Sequence, residues 1–227
     1  MTRPMIIAID GPSGAGKSTL GRLLARELGL LYIDTGAMYR AVALAVTQSG
    51  VSTADEAAVT EVARRASIKL EGDPDSLRVT LDGQDVSEKI RTEQIGHTAS
   101  VVSAISGVRR ELVERQRELG AHGGVVLDGR DIGTVVFPHA DVKFFITAVP
   151  EERARRRYDE ERVHERDQTF EDTLADINAR DRRDSTRADS PLAIAEDAFV
   201  IDTTDLAIED VFRRMLEVVR ERPSTHD

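Results

Sequence analysis

A chain of 227 residues can bury one sizeable core, and 40% hydrophobic with 32% charged residues excludes both a disordered chain and a membrane-embedded one. A formal net charge of -10 argues against a protein whose main work is gripping nucleic acid, so neither nucleic acid nor membrane is expected as a partner. The absence of cysteine excludes disulfides, thiolate zinc sites and cysteine nucleophiles, and suits the cytoplasm.

The first apolar run, Met5 to Ile9, predicts a buried strand, and its interruption at Asp10 makes it too short for a signal-peptide core or a spanning helix. Directly after it, Gly11-Pro12-Ser13-Gly14-Ala15-Gly16-Lys17-Ser18-Thr19 fits the phosphate-binding pattern GxxxxGK[ST]. The pattern opens into a helix whose stripe of Leu20, Leu23, Leu24 and Leu28 stops at Gly29, a C-terminal cap. Both flanks that the motif needs, strand before and helix after, are therefore present. Its glycines let backbone N–H groups and the helix N-terminus wrap an anion, Lys17 reaches the β- and γ-phosphates, and Ser18 offers a hydroxyl to Mg²⁺.

The second strand, Leu30 to Ile33, leads into Asp34-Thr35-Gly36-Ala37-Met38-Tyr39-Arg40, and the third, Val125 to Leu127, into Asp128-Gly129-Arg130-Asp131. Charged side chains at strand ends beside a phosphate loop are expensive to desolvate for packing alone, so Arg40 and Arg130 are candidates for holding an acceptor, with a structural ion pair as the rival reading. Between those strands, Ser67 to Val86 alternates as Ile68, Leu70, then Leu77, Val79, Leu81, with Asp82-Gly83 as a turn, which predicts an antiparallel insertion. Val142 to Ile146 is the fourth strand. The segment Glu151 to Asp189 then carries ten arginines, thirteen acids and no lysine, and predicts exposed helices able to close over a ligand. Within it Arg153, Arg156 and Arg157 fall on one helical face, as do Arg180, Arg183 and Arg187; a solvated face is the rival reading, because arginine outnumbers lysine 27 to four along the whole chain. Phe199 to Ile201 is the fifth strand, followed by a helix with Ile208, Val211, Phe212, Met215, Val218 and Val219 on one stripe.

Strands alternating with helices predict an α/β fold of the P-loop type, a five-stranded parallel sheet flanked by helices with its site at the strands' carboxyl ends. One domain is expected over 1–227, with its core in 5–50, 108–150 and 190–222, a β-rich insertion at about 60–105 and an Arg-rich helical lid at about 151–189. No Asn-Lys-x-Asp guanine reader occurs, which disfavours a GTPase switch and leaves a kinase of a small acceptor or a regulator that binds ATP without transferring phosphate. His97, His122, His139, His164 and His226 lack metal-site spacing and are expected to be structural or solvated, and a monomer is the default.

With those motifs in place, the chain resembles the bacterial cytidylate kinases from Ile6 to Arg220. The resemblance is carried by GPSGAGKS at Gly11, DTGAMYR at Asp34, IRTEQIGHTAS at Ile90, VRRELVERQR at Val108, DGRDIGTVVFP at Asp128 and ARDRRDSTRADSPL at Ala179. It implies ATP and CMP or dCMP as substrates, Mg²⁺ as cofactor, and an insertion that holds the monophosphate. Thr35 stands where a serine is frequent, keeping the hydroxyl at the acceptor site, and Ser18-Thr19 follows the lysine where some members have glycine. The resemblance further implies that Arg40 and Arg130 hold the acceptor phosphate. It assigns Ser100, Arg109 and Asp131 to the base, Arg180 and Asp184 to the sugar, and Arg187 to the phosphates or the base. Arg153 and Arg157 would contact the transferring group, and Asp128 would hold a magnesium-bound water.

Overall fold

The chain was described from a computed structural model covering residues 4–163 and 169–222, so His164, His226 and the tail after Pro223 lie outside the described residues. In chain order the elements are β1 (Ile6–Asp10), α1 (Lys17–Leu28), β2 (Leu31–Asp34), α2 (Thr35–Ser49), α3 (Glu56–Arg65), β3 (Ile68–Glu71), β4 (Arg78–Leu81) and β5 (Gln84–Asp85). They continue as α4 (Glu93–Val102), α5 (Ser106–Leu119), β6 (Val125–Asp128), β7 (Val142–Thr147), α6 (Pro150–Val163), α7 (Phe170–Thr186), β8 (Phe199–Asp202) and α8 (Ile208–Glu221). Each expected sheet strand is present, extended by one residue at its carboxyl end so that Asp10, Asp34, Asp128 and Asp202 close β1, β2, β6 and β8.

The parallel sheet has the order β2, β6, β1, β7, β8, with Ile7 of β1 registered against Val126 on one side and Val142 on the other. Side chains alternate across a strand, so β1 feeds two separate cores. Ile7 and Ile9 pack with Leu20 and Leu24 of α1 and with Val211 and Met215 of α8, while Ile6 and Ala8 pack with Val113 of α5 and with Ile132 and Val136 beyond β6. The helical stripes read from the sequence are thus the faces that cover one side of the sheet. Gly29 caps α1 in the left-handed conformation at φ 66°, as its position after the last leucine predicts.

β3, β4 and β5 form a separate antiparallel sheet with Ile68 opposite Leu81 and Leu70 opposite Val79. Its strands lie within Ser67 to Val86, where the alternation places them, and helices α3 and α4 flank them and share a core with α2 through Val59, Ala63, Ile95 and Ala99. The Arg-rich segment also departs from a fully solvated pair of helices. α6 buries Arg153 and Ala154, and α7 buries Thr173, Ile177 and Asp184. Tyr158 meets Phe170 edge-on with ring centroids 6.3 Å apart, so the two helices pack on each other through small, polar and aromatic groups that an aliphatic stripe does not reveal. Among the described residues no helix is long and apolar enough to cross a membrane.

Candidate active site

The loop between β1 and α1 turns too tightly for any residue but glycine at its first position. Gly11 has φ 143°, and a Cβ there would stand 1.9 Å from the carbonyl oxygen of Ile146. Lys17, the first residue of α1, is buried and its Nζ donates to Pro12 O at 2.6 Å, folding the ammonium back over the loop. Burial and then the charge of Arg130 hold its pKa well below the usual lysine range.

Asp128, at the end of β6, is the hub of the neighbouring polar cluster. Its Oδ2 accepts from Ser18 Oγ at 2.7 Å, its Oδ1 from Tyr32 OH at 3.0 Å, and its carbonyl from Thr35 Oγ1 at 2.7 Å. Burial, then the Asp34 carboxylate, pushes the Asp128 carboxyl up to about 6. Hard oxygen donors on Ser18 and Asp128, beside a second carboxylate whose repulsion a divalent cation would relieve, fit Mg²⁺, which takes few protein ligands and keeps phosphate and water oxygens for the rest. Thr35 is brought to this hub, with its hydroxyl proton spent on the Asp128 backbone.

The arginines expected at the acceptor converge on Arg180. Burial, followed by the charges of Arg130, Arg40 and Arg157, pulls the Arg180 guanidinium down to about 9, against the opposing pull of Asp184. Arg130 Nε donates to Asp184 Oδ2 at 2.9 Å. Burial raises the Asp184 carboxyl, but Arg130, Arg180 and Arg187 outweigh it and hold it below its ordinary value. One carboxylate thus serves a crowd of guanidiniums.

Deeper in, Arg109 is 3% exposed and donates to Asp131 Oδ2, with its guanidinium carbon 5.7 Å from the centre of the Tyr39 ring. Arg187 approaches the other Asp131 oxygen at 3.9 Å. Burial pushes the Tyr39 phenol up to about 12. Ser100 Oγ and Arg109 Nε are buried without a hydrogen-bond partner, a state that a bound polar molecule would relieve. Ser100, Arg157, Arg180 and Arg183 share a cavity of about 320 Å³. The exposed His97 stands at that cavity too, a placement its lack of metal-site spacing did not foretell.

Arg153 and Arg157 separate. Arg153 donates to Ala148 O at 2.8 Å and Ser13 O at 3.1 Å and pairs with Asp181 at 2.7 Å, so it is a strut between the phosphate loop and α7. Arg156, expected on the same face, instead donates to Thr203 Oγ1 at 3.0 Å and Thr203 O at 2.6 Å, and Thr203 in turn reaches Thr147 O at 3.1 Å. A shared helical face does not mean a shared target once the helix lies against the sheet edge. Asp10, Tyr32, Asp181 and Thr203 gained no role from sequence spacing; for Asp10 a signal existed, since a carboxylate closing an apolar strand beside a phosphate loop is costly unless engaged.

The family model described as cytidylate kinase matches residues 7–221. The chain is 52% identical over 223 residues to the cytidylate kinase of Geobacter sp. (strain M21), covering 98% of this chain and 96% of that one. It is 46% identical over 222 residues to the cytidylate kinase of Bacillus subtilis (strain 168), covering 98% and 99%. Among solved structures, shikimate kinase from Bacteroides thetaiotaomicron superposes with a TM-score of 0.50 at 14% identity, over 95% of this chain and 98% of that one, a likeness of fold.

Proposed function

The chain belongs to the cytidylate kinase family, and from that premise we propose that it transfers the γ-phosphate of ATP to CMP and dCMP, giving ADP with CDP or dCDP, in pyrimidine nucleotide metabolism. The observation that carries the site assignment is the crowding of Arg40, Arg130 and Arg157 around the half-buried Arg180 beside Lys17. So much like charge in a desolvated place is expensive unless a polyanion completes it.

On this reading the loop Gly11 to Thr19 cradles the ATP phosphates, with Lys17 leaving Pro12 O to reach the β- and γ-oxygens. Ser18, and Asp128 through a water, would hold Mg²⁺, which when bound would offset the charge of the phosphates. Arg40 and Arg130 hold the acceptor phosphate so that its oxygen lies in line with the leaving ADP. Arg157 adds positive charge where the equatorial oxygens develop negative charge, while Arg153 keeps the phosphate loop and α7 in register, acting on the transferring group through them. A loose transition state needs positioning and charge more than a strong base, so none is assigned. Closure of α6 and α7 over the site excludes water and with it ATP hydrolysis.

Ser100, Arg109 and Asp131 suit the edge of cytosine, which offers an amino donor to a carboxylate and acceptors to a guanidinium. Uracil reverses that pattern and would leave buried groups unpaired. Arg180 and Asp184 are assigned to the sugar and Arg187 to the phosphates or the base. The proposed unit is a monomeric kinase domain in the cytoplasm, with 151–189 as its lid and about 60–105 holding the monophosphate.

The test is ADP release from Mg·ATP with CMP, dCMP, UMP, AMP, shikimate and gluconate offered separately. Stimulation by CMP and dCMP is expected. Stimulation by shikimate or gluconate instead would overturn the acceptor assignment, and none at all would indicate a regulator.

A further inference from the structure

Asp10 is the last residue of β1 and the neighbour of Gly11, and its carboxylate is engaged by the backbone just beyond Asp131. It is 4% exposed, with Oδ1 accepting from the Ile132 N–H at 2.8 Å and Oδ2 from the Gly133 N–H at 2.7 Å. Those amides open the single helical turn Ile132–Val136, for which Asp131 is the N-terminal cap residue at φ -147° and ψ 24°. The carboxylate therefore clamps the backbone immediately after Asp131, whose own side chain meets Arg109. Burial pushes the Asp10 carboxyl up to about 6 against the lowering by those two hydrogen bonds, which marks a group kept in place at a cost.

We propose that Asp10 is a positioning residue for acceptor choice: by fixing the two amides after Asp131, it sets where the Asp131 carboxylate meets the base. This rests on the assignment of Asp131 to the base. Asp10 itself touches no substrate in this scheme. Its effect passes through the backbone of 131–133, tying the strand that carries the phosphate loop to the groups that distinguish one pyrimidine from another. A carboxamide has one acceptor oxygen where two N–H groups need two, and its NH₂ would face one of them, so Asp10→Asn lets residue 131 shift.

The readout is the ratio of kcat/KM for CMP to that for UMP, measured with saturating Mg·ATP. General loss of stability or damage to the ATP site lowers both terms and leaves the ratio unmoved. Asp10→Asn should lower the ratio about tenfold, the effect of one unsatisfied buried donor, and should lower it no further in an Asp131→Ala background. Gly133→Ala is the second variant: its Cβ would stand 3.3 Å from Asp10 Oδ2 and 3.0 Å from Lys143 Cδ, disturbing the clamp with the carboxylate kept. A smaller fall in the same direction is expected, and this variant carries the test if Asp10→Asn does not fold. If Asp131→Ala lowers the ratio while Asp10→Asn or Gly133→Ala leaves it at the wild-type value, the positioning role is wrong and the base assignment stands. An equal fall caused by Asp10→Asn with and without Asp131 would also overturn it. An unmoved ratio in Asp131→Ala removes the base assignment and this inference together.

Discussion

The hydroxyl of Ser18 donates to Oδ2 of Asp128 at 2.7 Å, joining the first turn of α1 to the carboxyl end of β6 across a sequence separation of 110. The acid in this pair is held up near 6 by burial and by Asp34, against an ordinary 3.8. The folded chain thus binds this proton more tightly than the unfolded chain, so ionisation of Asp128 costs stability as pH rises through the interval from about 4 to about 6. Removing the charge should show the opposite slope: the melting temperature of Asp128→Asn minus that of wild type should become more positive from about pH 4.5 to about pH 7, equivalent to roughly 2 kcal/mol. A difference that stays flat across that range, followed by calorimetry, would show that Asp128 ionises normally.

Lys17→Met should lower kcat by at least about a hundredfold, the scale for losing one donor to the charge of a transition state. The same variant should melt no lower than wild type, because Met fills the space without desolvating an ammonium beside Arg130. Full activity would remove the phosphate-loop assignment.

Asp131→Ala should raise the KM for CMP with little change in that for ATP. It should also cost about 3 kcal/mol of stability in denaturant titrations, since the Arg109 guanidinium loses its buried carboxylate partner. An unaltered CMP KM would take Asp131 out of the base-facing set.

Arg153 and Arg157 should part company in one experiment. Arg153→Ala strips donors from Ser13 O and Ala148 O and leaves Asp181 without its partner, so both kcat and the melting temperature should fall. Arg157, less deeply buried and lining the cavity, should lower kcat with a smaller thermal penalty. Equal thermal losses would contradict the distinction between strut and contact.

Local chemistry explains what could be read in advance. The strands are short apolar runs ending in turn residues, and the phosphate loop is a continuous motif in its proper context, so both are visible within a window of a few residues. Arg40, Arg130 and Arg180 were visible as charges at strand ends and on one helix, and they gather as their positions imply. Arg153 and Arg156 were not separable, because a helical period reports a common face and is silent on whether a guanidinium reaches a loop carbonyl or the next strand. The clamp of Asp10 on Ile132 and Gly133 links backbone amides 122 and 123 positions away, which no side-chain pattern encodes. The packing of α6 on α7 stayed hidden for a related reason: Ala154, Thr173 and Ile177 are too few and too small to raise an apolar signal above the surrounding charges.

The strand order has a consequence for how the chain is made. β1 has no neighbour in the sheet until β6 and β7 arrive, with Ile6 registered on Val125 and Ile7 on Val142. On a nascent chain leaving the ribosome, the five apolar-rich residues Ile6–Asp10 therefore emerge before their partners and wait unpaired through the synthesis of α2, the small sheet and α5. Closing so long a loop is slow, and an unpaired strand of this kind is what chaperones shield from aggregation. The segment that holds the phosphate loop in place is thus translated ahead of its sheet partners and secured only after they follow, which makes nucleotide binding a late event in the birth of the molecule.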